Sequence, residues 1–118
     1  SGDHLALLSP DATIKETILA MTKAHGGSAA VVDNAGNLLG IFTDGDFRRK
    51  AENDMEILAR KVGDVMTKNP ASIYADSLAI EVLKVVEARK IDDIIVLDAG
   101  GKVVGIVDIQ DLPGLKLM

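Results

Sequence analysis

The chain has 118 residues, of which 47% are hydrophobic and 26% charged, with a formal net charge of −5; the size suits one compact domain, and the balance excludes a disordered chain. The acidic charge, together with one Tyr, two Phe and no Trp, argues against nucleic-acid binding, which needs a basic surface or aromatic stacking platforms. With no cysteine there are no disulfides or thiolate metal sites, as suits a reducing cytoplasm, and no apolar run approaches the roughly 18 residues of a membrane span.

In chain order, a short apolar strand (LALLS, 5–9) leads into a helix whose start is marked by Thr13 and Glu16, the T-x-x-E capping box. Ile14, Ile18 and Met21 form its buried stripe, and Gly26 and Gly27 are expected to stop it. Two strands follow, AAVVD (29–33) and LLGIF (38–42), separated by NAGN and read as a hairpin. A helix is expected over 44–52, then a polar connector over 53–61.

The second half reads alike. The strand ASIYA (71–75) precedes a helix with Leu78, Val82, Val85 and Val86 on its apolar stripe, and IIVLD and VVGIV flank the turn AGGK. Placing 11–46 over 76–111 without a gap gives eight identities in 36 positions, among them Asp33 with Asp98, Gly36 with Gly101, Gly40 with Gly105 and Asp46 with Asp111. This is a duplication. The expected fold is therefore mixed α/β (α+β): two β-α-β-β-α repeats, over 1–60 and 61–118, packed about a pseudo-twofold axis because one repeat alone leaves a sheet face uncovered. Pro113 and Gly114 lie where the first copy has Arg48 and Arg49, so the last helix is expected to be short or broken.

The stretch GIFTDGD (40–46) carries the chemistry. Gly40 allows close approach to the strand, and Thr43 stands where the strand ends and a helix N-terminus, which attracts anions, begins. Asp46 lies one turn on, facing the same side. An acceptor-only carboxylate suits a vicinal diol and repels a phosphate, so a nucleotide would place its diol at Asp46 and its phosphate nearer Thr43. The competing reading is a capping box in which Thr43 and Asp46 serve only the helix. In the second copy Thr43 becomes Asp108 while Asp46 keeps its counterpart in Asp111, so the two sites should be unequal and only the first suits an anion. Arg48, Arg49 and Lys50, and also Lys68, offer partners for a phosphate or carboxylate, or a solvated charged face. His4 and His25 have no metal-ligand spacing, and no nucleophile and base form a set.

A tandem unit of this kind ending its third strand in G-h-h-T-x-x-D resembles the cystathionine-β-synthase (CBS) domain pair, or Bateman module. SGDHLALLSPDATIKETILAMT, GIFTDGDFRR and VGDVMTKNP are similar, more narrowly, to the C-terminal CBS pair of the arabinose 5-phosphate isomerases. The resemblance implies a cytoplasmic regulatory module without a resident cofactor, binding a nucleotide or a CMP-sugar such as CMP-Kdo. It further implies homodimers through the CBS helices and attachment to a sugar-isomerase (SIS) domain; the abrupt ends, SGDHLALLS and DLPGLKLM, accordingly suggest a fragment of a longer chain. Carried over by motif, the ligand-binding candidates are Gly40, Ile41, Thr43, Asp46 and Asp111. Base-edge candidates come from the starts of the second strands: Ser28 and Ala29, then Asp93 and Ile94, with ordinary packing as the alternative for these. A ligand-free structural dimerisation module remains the rival reading.

Overall fold

The computed structural model describes residues 5–77, 80, 81, 84, 87, 88 and 93–108. The first repeat contains β1 (Leu5–Leu8), α1 (Ile14–Ala24), β2 (Ser28–Val32), β3 (Leu38–Thr43) and α2 (Asp44–Ala51). A 3-10 turn (Ile57–Ala59), α3 (Val62–Val65) and β4 (Thr67–Lys68) follow, then β5 (Ser72–Tyr74), β6 (Asp93–Leu97) and β7 (Val103–Asp108). Residues 80, 81, 84, 87 and 88 are helical. The expected stripe Leu78, Val82, Val85 and Val86, the broken last helix at Pro113 and Gly114, and Asp111 all lie outside the described residues.

The two units share one topology, β1 parallel to β2 antiparallel to β3, and β5 parallel to β6 antiparallel to β7. Their registers agree at the offset of 65: Leu7 faces Ala30 as Ser72 faces Ile95, and Val31 faces Gly40 as Val96 faces Gly105. Even the irregularity repeats, a register shift at Val31/Val32 and at Val96/Leu97. Both hairpin turns close on glycine at positive φ, Gly36 at 89° and Gly101 at 83°, a conformation glycine adopts without steric cost. In each turn one aspartate organises the backbone. Asp33 Oδ1 accepts from the N–H groups of Ala35 and Asn37, and Asp98 Oδ1 from those of Gly100 and Lys102, all four at 2.9 Å.

Two apolar clusters form among the described residues. Ile14 and Met21 of α1 pack on Ala29 and Val31 of β2 and Phe42 of β3, with Ile57 added from the connector and Val62 from α3. Burying an Ile or Phe contributes about 2–3 kcal/mol, and Ile14, Val31 and Phe42 are 0% exposed. The opposite sheet face joins the repeats: Leu5 and Ala30 cluster with Ile95, flanked by Leu38, Ile41, Leu97, Val103 and Ile106. Ala30/Ile95, Leu38/Val103 and Ile41/Ile106 are repeat equivalents, so the core between the sheets is itself pseudo-symmetric.

Three local expectations are corrected. The helix-stopping residue is His25, not a glycine: it takes the left-handed conformation (φ 59°), and Gly26 N–H then reaches back to the Met21 carbonyl at 3.1 Å. The connector is not merely polar, because Ile57 is 4% exposed in the first core and Ile14 N–H donates to the Arg60 carbonyl at 2.8 Å. Finally, MTKNP falls within the second repeat as read from the sequence (61–118), yet it supplies a strand to the first sheet. β4 pairs antiparallel with β3, Gly40 facing Lys68 and Ile41 facing Thr67, and becomes the fourth strand of the first sheet.

Candidate functional site

The corner between β3 and α2 is built from its own short sequence. Thr43 has extended backbone (φ −122°, ψ 166°) and caps α2, its Oγ1 accepting from Asp46 N–H at 3.1 Å. Reciprocally, Asp46 Oδ2 accepts from Thr43 N–H at 3.0 Å. The capping box is thus complete, and the same pattern recurs at Thr13 and Glu16 of α1. Such a box satisfies two of the helix's orphan N–H groups. It does not exhaust the chemistry of either side chain: the Thr43 hydroxyl retains its proton to donate, and each Asp46 oxygen retains lone pairs.

Asp46 is held from a second side. Its Oδ1 accepts from Arg49 Nη2, and its side chain is only 13% exposed while that of Arg49 is 70% exposed. Across the sheet, Ser28 is the register partner of Thr43 and is 6% exposed. Asp44 N–H donates to the Gly27 carbonyl at 3.0 Å, tying the helix start to the start of β2.

The sequence-based candidates divide accordingly. Ser28, Thr43 and Asp46 converge on the corner. Ala29 does not, since its side chain is 0% exposed in the cluster beneath α1, and Ile94 is 1% exposed. Packing is what both side chains do in this structure. Ile41 packs on the face that joins the repeats. Gly40 serves a close approach, but by the protein itself: an added Cβ would lie 2.7 Å from the Thr67 carbonyl oxygen and 2.5 Å from Met66 Sδ. In the second repeat Asp93 is the register partner of Asp108, so two acidic residues stand where the first repeat has Ser28 and Thr43.

Elsewhere, an open cleft of about 450 Å³ is lined by Pro10, Asp11, Arg60, Lys61, Gly63 and Asp64, which sequence patterning did not single out. Its cations are engaged at the surface, Lys61 with Asp11 at 3.6 Å and Arg60 with Asp54 at 3.0 Å. The Arg60 side-chain hydrogen bond holds Asp54 below the ordinary carboxylate pKa and raises Arg60. Among the described residues, no three His, Cys, Asp or Glu side chains cluster as metal ligands, and no helix is long and apolar enough to cross a membrane.

Two copies of one β-α-β-β unit, joined across their sheets at a constant offset, define a tandem α+β module. The chain belongs to the CBS domain family, whose model matches residues 3–53 and again 62–112. It is similar to the arabinose 5-phosphate isomerase KdsD of Francisella tularensis, 38% identical over 116 residues, which cover 98% of this chain and 35% of that protein. The chain spans about a third of the length of the curated relatives it matches. Among solved structures, an uncharacterized conserved protein of Pyrococcus horikoshii superposes with a TM-score of 0.80 at 25% identity, covering 98% of this chain and 87% of that one. A CBS domain protein of Pyrobaculum aerophilum, solved in complex with AMP, shares the fold with a TM-score of 0.81 at 17% identity, covering 96% and 92%.

Proposed function

We propose that this CBS pair is a cytoplasmic regulatory module that binds a nucleotide or nucleotide-sugar, such as AMP or CMP-Kdo, at the β3–α2 corner of its first repeat. It would modulate an arabinose 5-phosphate isomerase of Kdo and lipopolysaccharide biosynthesis through an attached SIS domain, in a homodimer formed by its helices. The carrying observation is that Thr43 and Asp46 place a hydroxyl donor and a nearly buried carboxylate with spare lone pairs on one helix start. The carboxylate suits a ribose diol and the helix end suits an anion. AMP in the Pyrobaculum relative and the KdsD name of the Francisella relative support the ligand class and the parent enzyme.

Thermal melting with AMP, ATP, CMP, CTP and CMP-Kdo tests this reading, because a ligand at 100 times its Kd stabilises by about 2.7 kcal/mol. A shift with any of these, abolished in Asp46→Ala with the fold intact, is the expected result. The completed capping box favours one rival, a structural dimerisation module in which Thr43 and Asp46 act only on the helix. A flat response to the whole panel would overturn the nucleotide reading and favour that rival instead.

A further inference from the structure

We propose that the open cleft between the β1–α1 loop and α3 is a ligand site in its own right, and that it takes a small phosphorylated sugar. It is separate from the β3–α2 corner. Leu5 faces Ser28, the register partner of Thr43, so that corner lies at the start of β1, whereas Pro10 and Asp11 follow its other end, beyond Leu8. The cleft therefore stands or falls independently of the nucleotide reading.

Backbone bonds, not side chains, hold the walls of the cleft together. Gly63 N–H donates to the Pro10 carbonyl at 2.9 Å, Val62 N–H to that of Ala12 at 2.7 Å, and Ile14 N–H to that of Arg60 at 2.8 Å. An added Cβ at Gly63 would lie 2.7 Å from Pro10 Cβ, so glycine is what lets the two segments meet. The charged side chains are thus left to face solvent. Lys61 Nζ is 3.6 Å from Asp11 Oδ1, longer than a hydrogen bond, with the side chains 59% and 83% exposed; a surface pair of this kind contributes little and is readily exchanged for a ligand. Asp54 takes Arg60 Nε and Nη2 at 3.0 and 3.2 Å, which fixes the guanidinium and leaves its Nη1 to donate. Asp64, exposed on α3, adds a second carboxylate to the lining.

These groups sort among ligand classes. A guanidinium held in place and an adaptable ammonium suit a phosphate dianion. Two acceptor-only carboxylates beside them call for hydroxyl donors, and they repel any further anionic group. None of the residues lining the cleft is aromatic, so nothing there stacks a base. The volume, about 450 Å³, falls at the small end of ligand pockets, which reach about 1,000 Å³. One phosphate, several hydroxyls and no base describe a sugar phosphate.

Amide chemical-shift titration of the isotope-labelled chain tests this, because it locates a ligand as well as detecting it. The probes are D-glucose 6-phosphate and D-ribose 5-phosphate, with D-glucose and inorganic phosphate as the separate halves. Either sugar phosphate should give shifts at Asp11, Lys61, Gly63 and Asp64 that saturate below about 10 mM, and each half should bind at least roughly 10-fold more weakly. Lys61→Gln should weaken the sugar phosphates roughly 10-fold, the size of one hydrogen bond to a charged group. Asp64→Asn should weaken the sugar phosphates but not inorganic phosphate, since it removes a hydroxyl acceptor and a repelling charge together. Spectra of the unliganded variants that match the wild type away from the cleft show that both fold. Shifts confined to residues 43–46, or no saturable shift, overturn the proposal, and the former leaves the nucleotide reading standing. Affinity unchanged in Lys61→Gln overturns it as well. So does inorganic phosphate binding as tightly as its sugar esters, which would make the cleft an anion site with no recognition of the sugar.

Discussion

Lys102 Nζ donates to Asn37 Oδ1 at 2.9 Å, and the backbones of the same two residues form an antiparallel bridge. They are 65 residues apart and occupy the same position in the two repeats. Two equivalent residues can touch each other only where the pseudo-twofold axis passes between them, so this pair marks the axis at the hairpin ends. Nearby, the two Asp-organised turns and their positive-φ glycines are repeat equivalents too.

Because the positions are equivalent, exchanging their residues should be nearly silent. Asn37→Lys alone sets a second ammonium against Lys102, and like charges directly opposed destabilise by up to about 1 kcal/mol. The double variant Asn37→Lys with Lys102→Asn should return to within about 0.5 kcal/mol of wild type, a scale typical of solvent-accessible pairs. Urea titrations of the wild type, Asn37→Lys, Lys102→Asn and the double variant measure this. A double variant no better than Asn37→Lys alone would show that the bridge is not symmetric in energy.

Gly40 and Gly101 should respond to alanine for different reasons. At Gly40 the new Cβ meets the Thr67 carbonyl oxygen at 2.7 Å, so β4 must move from β3, and overpacking of this kind costs about 1–3 kcal/mol. At Gly101 no heavy atom of the described residues lies within 4 Å of the new Cβ, and the left-handed backbone at φ 83° is what resists alanine, at about 1–2 kcal/mol. Amide hydrogen exchange separates the two. Gly40→Ala should selectively expose residues 66–68, whereas Gly101→Ala should lower stability without that local signature.

Acid should unfold the chain partly through Asp33 and Asp54. The N–H of Asn37, foremost among several donors, holds Asp33 below the ordinary carboxylate pKa, and Arg60 does the same for Asp54. Both pKa values are depressed in the folded chain. The stabilisation is therefore complete above the unfolded carboxylate value of about 3.9 and is lost as pH falls through the lower folded values. Melting temperatures between pH 6 and pH 2.5 should fall most steeply below about pH 4, and Asp33→Asn should flatten that slope. An identical slope in Asp33→Asn would remove the turn from the account.

What the amino-acid order made legible follows from where local chemistry decides the structure. The capping boxes at Thr13 and Thr43 and the two hairpins form where expected because each is specified within four to six neighbouring residues. β4 was not legible, since a two-residue edge strand has no periodicity and its partner β3 lies well upstream. His25 was hidden by the two glycines after it, although glycine ordinarily takes the left-handed position. At the site, Ala29 has both a base-edge and a packing reading in the sequence, and the structure places its side chain in the cluster beneath α1, since small residues let a helix approach a sheet. Arg49 stood out only as one of three adjacent cations; its spacing of three from Asp46 is what singled it out once the helix was in place.

The sharpest separation of helix cap from ligand site lies at Thr43. Thr43→Ala removes the acceptor for Asp46 N–H and should cost about 1 kcal/mol, whatever the corner binds. Thr43→Asp reproduces the residue of the second repeat, Asp108. Aspartate caps at least as well as threonine, so stability should stay within about 0.5 kcal/mol of wild type. Its charge, however, adds a third carboxylate to a turn that already holds Asp44 and Asp46, where Arg49 is paired with Asp46. A phosphorylated ligand should then be lost while the melting temperature without ligand is kept, measured by melting with and without AMP and CMP. If Thr43→Asp still responds to the monophosphate as the wild type does, the anion lies elsewhere, and capping is all that Thr43 contributes.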